Sequence, residues 1–313
     1  MAVSAWARTL PKAVLVAAVL WLHGASAQTQ LLPWEVTVAE IETGRLRYLS
    51  ERLSKQFILY QLRLGVSKSD VNETAAQIDG VLANLERGNP SRSIPAPWTP
   101  DVRERVASVD RSWAPLRRIA TASPYDHLRV AREFMKPEVR RGDPLLIRYF
   151  DGLSALMITE VELLIATYHA ECLETGLEIC PTAQTSGYAA MIIERAIKQT
   201  VFVVAGIDAD ANRERLTETL EAYQAVRDAN DTSEFFAAAL DPQRGVSAAA
   251  AGQLLASLRS DWDAMQRQFA ILAAGDEENF DLEQLLLIQT RMVEKVERLT
   301  AALIRYANVT YGS

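Results

Sequence analysis

The chain predicts an all-α fold of two tandem antiparallel four-helix-bundle-like repeats, on three observations. Almost every long segment spaces its apolar residues at steps of three and four, no segment sustains the two-residue alternation of a half-buried strand, and one stretch is echoed later. GRLRYLSERLSKQ (Gly44 to Gln56) aligns with GYAAMIIERAIKQ (Gly187 to Gln199), and SVDRSWAPLRR (Ser108 to Arg118) aligns with SLRSDWDAMQR (Ser257 to Arg267). The two echoes keep their order and nearly their spacing, which reads as a tandem duplication.

The first 27 residues read as a targeting segment. Arg8 and Lys12 form a basic start, Ala13 to Leu22 is apolar but too short to span a bilayer, and Ala25-Ser26-Ala27 is a small-residue cleavage signal. Cleavage is expected after Ala27, giving a periplasmic product; an uncleaved anchor is the alternative. Residues 28–175 are then expected to form the first helical domain and residues 176–313 the second, a size suited to two cores.

The first helix carries Leu46, Leu49, Leu53, Phe57, Tyr60 and Leu64 as one buried stripe. Asp70-x-x-Glu73 resembles a capping box opening the second, which carries Ile78, Leu82 and Leu85 and ends at Gly88-Asn89-Pro90. A linker follows, and Pro100 sits where helices commonly begin. Val102, Val106, Val109, Trp113 and Leu116 form the third stripe, which Pro115 and Pro124 are expected to interrupt, with a separate short helix over Tyr125 to Met135. A long fourth helix is expected from Pro144 to Thr175. The second copy repeats the plan from Ala183 to Ala205, Ala211 to Asp228, a short helix opened by Asp231-x-x-Glu234, Ser247 to Ala273 and Asp281 to Asn308. Trp113 and Trp262 continue apolar stripes and read as core anchors.

Removing Arg8 and Lys12 takes the formal net charge from -7 to -9. An acidic chain without a dense basic stripe has no electrostatic footprint for nucleic acid. The two cysteines, Cys172 and Cys180, would meet an oxidising compartment and are expected to form a disulfide. With His169 they make an incomplete metal-ligand set, so no metal or cofactor is expected. No phosphate loop, metal-binding histidine pair or nucleophile motif is present, and the chain reads as a non-enzyme.

One face reads as a site. Thr43, Arg47, Ser50, Ser54 and Gln61 form a polar seam along the first helix, and the matching positions Ser186, Ala190, Ile193, Ile197 and Val204 have become mostly apolar. A guanidinium flanked by hydroxyls can hold a small oxyanion, because its planar fork suits two anion oxygens; a solvated helix flank is the bland alternative. The candidate ligands are Arg47, Ser50, Ser54 and Thr43. Glu51 with Glu194, Arg52 with Arg195 and Lys55 with Lys198 are kept in both copies and read as ion pairs on helix flanks.

At Gly44, Arg47-Tyr48, Ser50, Arg52 and Lys55 the chain resembles the N-terminal sensor domain of type IV pilus methyl-accepting transducers and nitrate/nitrite sensor kinases, the PilJ-like or NarX-like domain. Ser108 to Arg118 resembles that domain's tryptophan-bearing third helix. The resemblance covers most of residues 37–170 and, more faintly, 180–313. It implies an exported sensory module that recognises a small anion such as nitrate or nitrite through Arg47, dimerises through first helices and works with a separate membrane transducer. Tyr48 departs from the usual methionine, and Ala190 stands where a second arginine would be. The competing expectation is a helical scaffold of the cell envelope with no small ligand.

Overall fold

The computed structural model describes residues 33–122, 142–174, 186–232, 241, 246–276 and 278–311. Among these, eight α-helices and no strand are present: α1 (Pro33–Leu62), α2 (Lys68–Arg87), α3 (Pro100–Thr121), α4 (Pro144–Glu174), α5 (Ser186–Val204), α6 (Ala209–Thr232), α7 (Val246–Ala273) and α8 (Leu282–Tyr311). The segment 1–27, the short helix expected over Tyr125 to Met135, Cys180 and Glu234 lie outside the described residues.

Helix ends follow local chemistry. α1 stops at Leu62 because Arg63 turns left-handed, φ 61°, and the Leu64 amide closes back on the Leu59 carbonyl at 2.9 Å. Leu64, expected on the buried stripe, therefore lies past the helix and is exposed. The capping box of α2 is formed by Ser67 and Asp70, one turn before the expected Asp70/Glu73 pair: each side chain bonds the other's backbone amide. α2 ends at Gly88, whose φ of 75° suits a residue without Cβ. Thr99 caps α3, with Pro100 in its first turn.

Pro115 does not interrupt α3, which runs through it to Thr121. The carbonyl that loses its partner there is that of Arg111, whose residue is exposed, so water can replace the missing amide.

Helices α1 to α4 contact one another in a closed ring of neighbours, α1 with α2, α2 with α3, α3 with α4 and α4 with α1. In the later half α5 contacts α6 and α8, and α7 contacts α8, while Tyr223 of α6 stacks on Trp262 of α7 at 3.5 Å between ring centroids. α1 also packs extensively against α5 and more lightly against α8, so the described residues form one compact unit with a continuous apolar core. Leu46, Leu49, Leu53 and Phe57 are all buried. At about 1.5–3 kcal/mol per side chain, this burial outweighs the tenths of a kcal/mol that helix propensity supplies. Trp113 and Trp262 are both core residues. Among the described residues no helix is long and apolar enough to cross a membrane.

Candidate functional site

The two echoed segments meet at their glycines. A Cβ built on Gly44 would lie 3.7 Å from the Gly187 Cα, so α1 and α5 cross with their backbones in contact. Two to three turns beyond that crossing, the residues that the two echoed segments share pair reciprocally. Glu194 of α5 takes Arg52 at 3.2 Å and Lys55 at 2.7 Å, both from α1. Glu51 of α1 takes Arg195 at 2.7 Å and Lys198 at 2.6 Å, both from α5. Such an exchange, in which each helix offers the same residues to the other, has the form of an isologous interface. These are not the weak flank pairs expected from the sequence, since Glu51, Lys55, Glu194 and Lys198 are all buried.

The two clusters differ in their remaining members. Lys198 has a second carboxylate, Asp151 of α4 at 2.6 Å, whereas Lys55 has the neutral amide of Gln289 at 2.7 Å. Burial lowers the Lys55 pKa, and Glu194 only partly opposes it. Burial works on Lys198 in the same direction, but Glu51 and Asp151 together overcome it and the pKa is raised.

The polar seam of α1 faces α4. Arg47, 3% exposed, donates to Glu162 of α4 and lies over the Tyr188 ring of α5, 5.3 Å from its centroid. Ser54 donates to Asp151 at 3.1 Å, and the Ser154 hydroxyl donates to the Ser50 carbonyl at 3.0 Å. Gln61 accepts from the Gly142 amide at 3.3 Å. Thr43 donates to the Ala39 carbonyl at 2.8 Å, and Ser50 to the Leu46 carbonyl at 2.6 Å, each within its own helix. The four expected anion ligands therefore lie along one seam, with their hydroxyl protons and a guanidinium N–H already engaged. Of the expected cystine, Cys172 is buried and disulfide-bonded.

Sequence reasoning missed three members of this site. Glu40, 4% exposed, sits two turns before Arg47 on the same face of α1, and neither carboxylate oxygen finds a hydrogen-bond partner. Its i, i+7 spacing to Arg47 was the available signal. Glu162 and Tyr188 come from other helices, and nothing local marks them. Tyr48, the departure from the family pattern, reaches α8 by donating to Glu297 at 3.1 Å, and burial pushes its phenol up to about 12.

Burial pushes the Glu40 carboxyl up to about 8, against the opposing pull of Arg47. The folded state thus holds the proton that the unfolded chain releases near pH 4.5. Stability is full below that pH and falls as pH rises toward about 8. At about 1.4 kcal/mol per pKa unit, the loss is on the order of 4–5 kcal/mol across this window. Melting temperature measured from pH 5 to 9 is expected to fall in the natural chain and to fall less in Glu40→Gln. Equal slopes would show that Glu40 does not carry the effect.

No curated protein and no solved structure matches the chain. A family model does match, at residues 42–131, a span that begins beside the α1–α5 crossing and takes in Arg47, α2 and Trp113 of α3. That model is PilJ, the N-terminal domain of type IV pili methyl-accepting chemotaxis transducers, and residues 42–131 are similar to it.

Proposed function

We propose that this chain is an exported, periplasmic sensory module in which one polypeptide supplies both members of a first-helix pair, in place of the homodimer expected from the family resemblance. The observation that carries this reading is the reciprocal exchange of Glu51, Arg195 and Lys198 for Glu194, Arg52 and Lys55 across the glycine crossing. In this reading α5, which packs extensively on α1, takes the place that a second chain's α1 would fill. The arrangement follows from duplication and fusion of an ancestral PilJ-type domain.

In this reading the ligand is a small oxyanion such as nitrate or nitrite, and it reaches Arg47 by displacing Glu162. The carboxylate of Glu162 has the planar pair of oxygens that a guanidinium fork accepts, so it occupies the anion's place in the absence of ligand. Displacement frees α4 from α1 at that level, which converts binding into a movement of one helix against another. A separate membrane transducer would then read the change.

Calorimetry with nitrate and nitrite, using chloride as control, tests this. Saturable heat is expected, lost in Arg47→Ala and strengthened about tenfold or more in Glu162→Gln, where the competing charge is gone. Absence of heat in both the natural chain and Glu162→Gln would sink the anion reading. It would leave the second reading, a ligand-free envelope scaffold, which is favoured by the exposure of Leu145, Leu156, Leu163 and Leu173 along α4.

A further inference from the structure

Between α4 and α6, with α5 as its floor, lies a cavity of about 580 Å³, within the range of small-molecule sites. Its wall of ion pairs is already described: Glu51, Arg195, Lys198 and Asp151. Three further polar side chains line it and remain uncommitted. Gln199 of α5 is 6% exposed, yet its Oε1 has no hydrogen-bond partner. Arg215 and Glu218, one turn apart on α6, form no ion pair among the described residues.

The corresponding glutamine of the first copy shows what a purely structural arrangement looks like. Gln56 occupies the place in α1 that Gln199 holds in α5, and its Oε1 accepts from the Thr74 hydroxyl of α2 at 2.7 Å. At the second position the α6 hydroxyl that lines the cavity, that of Thr219, donates instead to the Arg215 carbonyl at 2.8 Å, and the buried Gln199 amide oxygen is left without a donor beside the cavity. A buried acceptor without a donor is costly, so one left beside a cavity marks where a ligand donor belongs.

We propose that this cavity is a second binding site and that it takes a small zwitterion of the α-amino-acid type. The carboxylate pairs with Arg215, whose guanidinium is the uncommitted cation on the wall. The ammonium donates to Gln199 Oε1 and faces Glu218. Ile158, Phe202 and Ala222 give the remainder of the molecule an apolar surface. The site shares no ligand with the Arg47 seam, so the two proposals stand or fall separately.

The test is calorimetry of the purified protein with each common L-amino acid, and, for any that binds, its decarboxylated amine and its N-acetyl derivative. At least one amino acid is expected to bind saturably, with affinity reduced tenfold or more in Arg215→Ala and in Gln199→Leu and unchanged in Arg47→Ala. Because Arg215 and Glu218 are exposed, Arg215→Ala and Glu218→Gln should fold even if Gln199→Leu does not. The proposal is overturned if no amino acid binds, if binding survives Arg215→Ala intact, or if the amine or the N-acetyl acid binds as tightly as the parent.

Discussion

Glu194→Ala is expected to lower the unfolding free energy by about 3–5 kcal/mol, read as a shift of the urea midpoint at constant slope. The carboxylate is fully buried and serves Arg52, Lys55 and the Gln289 amide at once. Its removal leaves a buried lysine, already held below its ordinary pKa by burial, without a counter-charge. The mirror variant Glu51→Ala should cost less, about 2 kcal/mol, although the sequence motif is the same. Lys198 keeps Asp151 as partner, and Arg195 is about a third exposed and can turn to water. Adding Lys55→Met to Glu194→Ala should restore part of the loss, because the stranded charge leaves with the lysine. A Glu194→Ala loss below about 1 kcal/mol, the level of an exposed pair, would remove the argument that the α1–α5 interface is held by buried charge.

Gly187→Ala is expected to destabilise by about 2 kcal/mol or more even though alanine gains about 1 kcal/mol over glycine within a helix. A Cβ at position 187 would stand 2.5 Å from the Gly44 carbonyl oxygen and 2.9 Å from its Cα, and backbone cannot move aside as a flexible side chain would. The reverse substitution separates steric clash from general sensitivity of the crossing. Gly44→Ala meets only the Gly187 Cα at 3.7 Å, an ordinary contact, and should be neutral or slightly stabilising. Thermal unfolding of the two variants checks the pair, and equal effects would show that the backbones do not approach as closely as described.

The glycine crossing and the ion pairs beside it were legible as positions but not as a place. Gly44 with Gly187, Glu51 with Glu194 and Lys55 with Lys198 stood out because they recur, and recurrence is a property of sequence. That they meet each other is a property of the fold, because residues more than a hundred positions apart become neighbours only when helices pack. The same limit explains the anion seam. The spacing of Thr43, Arg47, Ser50 and Ser54 placed them on one face, but the partners of that face, Glu162 and Asp151, sit on α4, and no local pattern in α1 names them.

What the sequence alone determined was the helical content, most helix ends, the core positions of Trp113 and Trp262 and the kinship of residues 42–131 to a transducer's N-terminal domain. These depend on short-range chemistry: capping hydroxyls, proline and glycine geometry, and the 3.6-residue period. Only the tertiary structure decided that α1 pairs with α5 within the chain, that Arg47 faces a carboxylate and that Gln199 opens on a cavity while Gln56 does not. Charge and hydrogen-bond satisfaction are set by which helices become neighbours, and that is a balance struck over the whole core.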